Sequence, residues 1–201
     1  MKKHISLLIP IILIILLSGG FFVYQYYQKH PKIEPTKWLD YNNVELKIKL
    51  NYPETFKSIR LSEDDKKAKI IFKAEQPEPS ALFSLRHEDK VGVLKMAQKG
   101  SVLEVLKQNF DTQYPGRFTD FKKEKEEKIT IDGNEAEQFY FTYLGKDNAT
   151  RMKQRFVIVT RQYEDKSLGT VAFYLSFQSK EQDFEKLNSI FDQILKSFKL
   201  L

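Results

Sequence analysis

Between Ile5 and Tyr24 the chain reads ISLLIPIILIILLSGGFFVY, with no charged side chain. A helix rises ~1.5 Å per residue and a bilayer's hydrocarbon core is ~30 Å thick, so a run of about 20 apolar residues is what a membrane-spanning helix requires. This run predicts one transmembrane helix and decides the compartment of everything after it. Met1-Lys2-Lys3-His4 precedes it, and the positive-inside bias keeps such a basic start in the cytoplasm. Ser18-Gly19-Gly20 offers small residues for a signal peptidase, but the apolar run continues through Phe21-Phe22-Val23. Tyr24, Tyr26 and Tyr27 then suit an interfacial aromatic belt. The expectation is a retained signal anchor, single-pass, with the remainder extracytoplasmic. With no cysteine anywhere, the chain has no residue to carry a lipoprotein anchor, form a disulfide or supply a thiolate ligand.

The expected layout is residues 1–4 cytoplasmic, 5–24 transmembrane, 25–40 a tether and 41–201 one domain. Pro31 and Pro35 disfavour regular structure in the tether, and Trp38 is placed at the domain's edge. The chain is 41% hydrophobic and 30% charged, a globular balance. Its net charge of +6 is spread among mixed runs such as Lys122-Lys123-Glu124-Lys125-Glu126-Glu127-Lys128, a solvated face rather than a nucleic-acid footprint.

Val44, Leu46, Ile48, Leu50 and Tyr52 alternate with polar residues, which predicts a half-buried strand ended by Pro53. Glu63-Asp64-Asp65-Lys66-Lys67 reads as a charged turn and lacks the spacing and glycine of a calcium loop. Residues 68–74 and 81–86 read as short strands joined by Gln76-Pro77-Glu78-Pro79. Ser101-Val102-Leu103-Glu104 is a capping box, opening a helix with Leu103, Leu106 and Phe110 at helical spacing that ends before Pro115-Gly116. A long strand over 118–131 follows, then Asp132-Gly133 as a tight hairpin turn and a return strand over 134–144. A second hairpin is expected from 152–163 and 168–177. Ser179-Lys180-Glu181-Gln182 reads as another capping box, starting an amphipathic helix with Phe184, Leu187, Ile190, Phe191, Ile194, Leu195 and Phe198 on its core face.

This order predicts an α+β fold, an antiparallel sheet packed by helices, after one transmembrane helix. The stretch YNNVELKIKLNYPETF (41–56), the helix opened by Ser101, the hairpin at Ile131-Asp132-Gly133-Asn134-Glu135-Ala136 and the closing strand and helix over 172–198 together resemble PsbP-like domains. The resemblance implies an α-β-α sandwich and a non-enzymatic module that binds protein partners. Its founding members are extrinsic lumenal subunits of photosystem II that support calcium and chloride retention, so it also implies a photosystem-type extrinsic subunit with calcium association as an alternative. This chain departs from those members in its transmembrane-type start, so no site residue is carried over.

Chemistry-bearing residues are sparse. Of three histidines only His87 lies within the domain, and the chain has no G-x-S-x-G motif and no P-loop. The expectation is no enzyme activity and no resident cofactor or metal, with weak calcium association through surface carboxylates left open. Asn148-Ala149-Thr150 matches a glycosylation sequon. Tyr140, Tyr143, Tyr163 and Tyr174 are candidates to line a pocket, or simply to fill a core. Three classes therefore stand: a membrane-tethered binding module with an unknown protein partner, an extracytoplasmic small-ligand or lipid carrier, and an undetected hydrolase. A pocket above ~300 Å³ with converging polar groups would favour the latter two. One row is singled out as a candidate contact with an acidic partner or anionic lipid. Arg151, Lys153 and Arg155, with Arg161, share one face of a strand whose other face carries Met152, Phe156 and Ile158. Val157 and Val159 lie on the cationic face, which argues that a helix of the domain covers part of it.

Overall fold

The computed structural model describes residues 35–91, 101–164 and 169–201. The expected transmembrane helix lies outside the described residues; among these, no helix is long and apolar enough to cross a membrane. The chain divides into two compact units, Met1–Ile33 and Glu34–Leu201, and the described residues belong to the second.

Two antiparallel sheets are present. The smaller pairs β1 (Trp38–Asn43), β2 (Ile48–Pro53) and β10 (Lys199–Leu200) in the order β1-β2-β10. The larger has seven strands: β3 (Lys57–Ser58), β4 (Ile70–Gln76), β5 (Ala81–Glu88), β6 (Thr119–Ile131), β7 (Asn134–Leu144), β8 (Arg151–Gln162) and β9 (Thr170–Lys180). Their order is β3-β4-β5-β9-β8-β7-β6. Three α-helices are described: α1 (Glu63–Lys67), α2 (Val102–Gln113) and α3 (Glu181–Ser197). The result is mainly antiparallel sheet packed by helices, as the sequence pattern predicts.

The hairpin between β6 and β7 turns at Asp132 (φ 48°) and Gly133 (φ 80°), the pair of left-handed residues that a type I′ turn demands. The β6 edge carries the alternating lysines and glutamates, which blunt an exposed edge against pairing with another chain.

Each face of the large sheet has its own cover. On one face Phe83, Leu85, Val157, Val159, Val171, Phe173, Leu175 and Phe177 are buried under α3 and the small sheet. There α3 contributes Phe184, Leu187, Ile190, Phe191, Ile194 and Leu195, so its apolar stripe is core along its whole length. On the opposite face Leu103, Leu106 and Phe110 of α2 pack onto Phe139, Phe141, Phe156 and Ile158. The Phe110 ring stacks on Phe139 with centroids 4.0 Å apart. The two covers differ in reach. Helix α2 sits on β7 and β8, and the same face over β4, β5 and the adjoining half of β9 carries half-buried polar side chains: Lys73, Ser84, Arg86, Ser176 and Gln178.

Four expectations change. The strand expected across 44–52 is a hairpin: Val44 is 79% exposed at its turn and Lys47 has φ 49°. The folded unit also starts earlier than Tyr41, because β1 begins at Trp38 and pairs with Pro53. The charged turn at 63–67 is the helix α1, capped by a box in which Ser62 and Asp65 satisfy each other's backbone N–H groups. Finally, Ser179 caps nothing. It is 1% exposed and still in the β9 ladder opposite Ala81 and Lys153, so Lys180 takes the N-cap position and makes no side-chain cap bond.

Candidate functional site

The half-covered face of the large sheet holds a cleft of about 270 Å³ between β5, β9 and α2. Its position follows from register. Arg86 on β5 lies directly opposite Tyr174 on β9, so both side chains rise on the α2 side. The Arg86 guanidinium stacks over the Tyr174 ring, 4.0 Å from its centroid. Two residues on, Glu88 accepts a hydrogen bond from the Tyr174 hydroxyl at 3.0 Å, and the same carboxylate oxygen lies 3.7 Å from Arg86 Nη2.

The other wall comes from the end of α2 and the 3-10 turn Pro115–Arg117, which Pro115 forces by ending the helix. Arg117 lies over the Tyr114 ring, 5.3 Å from its centroid, and donates from Nη2 to Gln113 Oε1 at 3.2 Å. Leu106, Phe110, Phe156 and Ile158 form an apolar floor.

Burial pushes the Tyr174 phenol well above its ordinary range, and the neighbouring Glu88 carboxylate pushes the same way. Burial also raises Tyr114, while the Arg86 and Arg117 guanidiniums pull it partly back. Both hydroxyls are therefore protonated at neutral pH. Among the described residues Glu88 is the one carboxylate at ion-pair distance from Arg86, and none lies at that distance from Arg117. The cleft thus combines two guanidiniums, one carboxylate, two phenols and an apolar floor.

Two shallower depressions extend it. One of about 460 Å³ shares Arg117 with the cleft and runs past Phe118, Tyr143 and Lys146 to Met152 and Gln178. The next, about 490 Å³, shares Met152 and Gln178 and ends on Ile59, Lys73 and Leu82. On the same face of the sheet Gln154 donates to Ser176 Oγ at 2.7 Å. A further open depression of about 660 Å³ lies at the far end of α2, beside Gly133 and Gln162.

The basic row singled out in the sequence lies on the opposite face, and α3 meets its middle two members, Lys153 and Arg155. Arg155 has a side chain only 6% exposed; its Nη1 donates to Asp192 at 2.6 Å and to Asn188 at 3.3 Å, and its Nε to Gln138 at 2.7 Å. Lys153 pairs with Glu124 at 3.0 Å and with Glu185 at 3.4 Å. Arg151 pairs with Asp120. Arg161 lies over the Tyr163 ring at 4.9 Å, with Nη1 buried and without a hydrogen-bond partner among the described residues. Three positions of α3, Glu185, Asn188 and Asp192, come at helical spacing and face this row. That spacing was the signal by which the sequence could have shown the pairing.

Of the four tyrosines considered as pocket residues, Tyr174 lines the cleft and Tyr143 the first depression. Tyr140 packs edge-on against Phe184 under α3, and Tyr163 donates to the Leu46 carbonyl. His87 Nε2 lies 3.2 Å from Asp89, and burial lowers its pKa. Among the described residues no group of three or more His, Cys, Asp or Glu is placed to hold a metal ion.

No protein-family model matches the sequence, and no curated protein matches it. Solved structures do. Cyanobacterial PsbP from Synechocystis superposes with a TM-score of 0.60 at 13% identity, covering 84% of this chain and 95% of that one. LpqN, involved in cell envelope biogenesis of Mycobacterium tuberculosis, gives 0.56 at 10% identity over 81% of this chain and 90% of that one. A point mutant of the protein Mog1 gives 0.53 at 10% identity over 82% and 96%. At these identities the likeness is one of architecture: this chain has a PsbP-like fold.

Proposed function

We propose that this chain is a membrane-tethered, extracytoplasmic binding module without catalytic activity. The observation that carries this is the asymmetry of the sheet: one face is closed by α3 and the small sheet, whereas α2 closes only part of the other. What remains is a polar, half-buried groove across β4, β5 and β9, next to a cleft rich in arginine and tyrosine. These are the residue types that dominate binding energy at protein interfaces. The cleft is not one enclosed cavity but runs on into open depressions along the sheet, a shape that suits an extended segment of a protein partner better than an enclosed small ligand. The uncharged run Ile5–Tyr24 supports the tether and, with Lys2 and Lys3 before it, the side of the membrane. LpqN, of similar fold, is involved in building a cell envelope, a setting in which such a module would work.

The chain has no cysteine, so Glu45→Cys, on an exposed turn, gives a unique label site. In right-side-out membrane vesicles, a membrane-impermeant maleimide should label it without detergent, and deletion of residues 1–27 should move the protein to the soluble fraction. Labelling only after detergent, or a deleted form that stays in the membrane, contradicts the tethered extracytoplasmic reading.

A further inference from the structure

The geometry points to a specific chemistry for the partner: we propose that the cleft at Arg86, Arg117, Tyr114 and Tyr174 receives a carboxylate side chain of a protein partner, held beside one of its apolar residues. This rests on the reading of the chain as a binding module and narrows it.

Three features select the occupant. The first is charge. Arg86 and Arg117 bring two positive charges against one from Glu88, a surplus of one. That surplus matches a singly charged carboxylate better than a phosphate dianion, which would leave a net negative charge beside Glu88. The second is pre-organisation. Arg86 is held by its stack on Tyr174 and Arg117 by Gln113 and the Tyr114 ring, so little side-chain freedom is lost when an anion arrives. The third is shape. The floor of Leu106, Phe110, Phe156 and Ile158 is apolar, and at about 270 Å³ the cleft has room for a carboxylate side chain with an apolar one beside it. The groove toward Met152, Gln178 and Leu82 lets the rest of an extended segment lie across the sheet.

The test uses the full-length chain in nanodiscs of zwitterionic lipid, with empty discs as the blank. The probes are the acetylated, amidated dipeptide Phe-Glu, its neutral isostere Phe-Gln, and inorganic phosphate, each titrated by calorimetry and followed by NMR of the arginine side chains. The expected result is binding of Phe-Glu at about millimolar Kd, the range for so small a ligand. Binding should weaken as salt rises and be at least ~10-fold weaker for Phe-Gln. Arg117→Gln, in an exposed turn where folding is not at stake, should weaken Phe-Glu about 10-fold, and Arg86→Gln likewise. Equal binding of the two dipeptides, no binding, or Phe-Glu binding unchanged by Arg117→Gln overturns the proposal. So does phosphate shifting the same arginine resonances more strongly than Phe-Glu, which would make the site one for phosphate groups. Photocrosslinking from a photoreactive residue at position 82 of the full chain in its own membrane reads partner capture separately, so failure of these titrations with an adduct still formed sinks the acidic anchor and leaves the binding module standing.

Discussion

Glu137 is a carboxylate only 2% exposed, on the α2 side of β7, with one oxygen buried and without a hydrogen-bond partner among the described residues. Burial raises its pKa, and Lys128 and Lys107 offset part of that. An acid whose folded pKa exceeds its unfolded value of about 4.3 costs stability above the folded pKa, and that cost vanishes as pH falls below the unfolded one. Glu137→Gln keeps the shape and removes the charge. It should therefore raise the melting temperature at pH 8, with the gain shrinking to nothing near pH 4; thermal unfolding at the two pH values checks this, and a variant less stable at pH 8 contradicts it. Arg155 presents the opposite case, a buried charge with its partners in place. Asp192→Ala leaves it, among the described residues, the hydrogen bonds to Gln138 and Asn188 and the Tyr140 ring. Since the Asp192 side chain is 45% exposed, water takes up part of the loss. The expected cost is about 1–3 kcal/mol, less than the ~3–5 kcal/mol for breaking a fully buried pair. Urea unfolding measures it, and a change under ~0.5 kcal/mol would mean that Arg155 needs no counter-charge.

At the scale of elements, α3 is the cover on which one whole face depends. Phe191 is fully buried, its ring 4.9 Å from Phe177 and 5.6 Å from Phe184. Phe191→Asp removes that packing and buries an unpaired charge, so it should cost more than about 3 kcal/mol. Denaturant unfolding within ~1 kcal/mol of the parent would show that α3 is not core. This helix was legible in the sequence because Phe184 to Phe198 repeat at helical spacing, and α2 because Ser101 and Glu104 form a capping box that the structure reproduces. The Asp132-Gly133 turn was legible because only a few residues accept its backbone angles. By contrast, Ser179 shows how a local motif fails: its spacing to Gln182 fits a cap, but the ladder with Ala81 and Lys153 holds it in the sheet. The β1–β2 hairpin was hidden because Val44 and Leu46 continue the alternation of Ile48 and Leu50 through a turn marked only by Lys47 adopting a left-handed angle. The cleft was not legible at all. Arg86 meets Tyr174 only because β9 inserts between β5 and β8, and strand order is a property of long-range packing rather than of any window of residues.

For the molecule as a whole, the proposal is a division of labour: the closed face of the sheet builds the domain, and the half-open face is the one proposed to bind. The PsbP-like architecture explains how both coexist, because a wide antiparallel sheet needs cover on both sides and α2 is too short to cover seven strands. The claim is tested most directly by site-specific photocrosslinking of the full-length chain in its native membrane. A photoreactive residue replaces Leu82 in the groove and, separately, Gln193 on the exposed side of α3. The account predicts a discrete adduct from position 82, lost with Arg86→Gln combined with Arg117→Gln, and none from position 193. An adduct from position 193 alone, or equal labelling from both, would place the binding surface on the other side of the molecule and contradict the account.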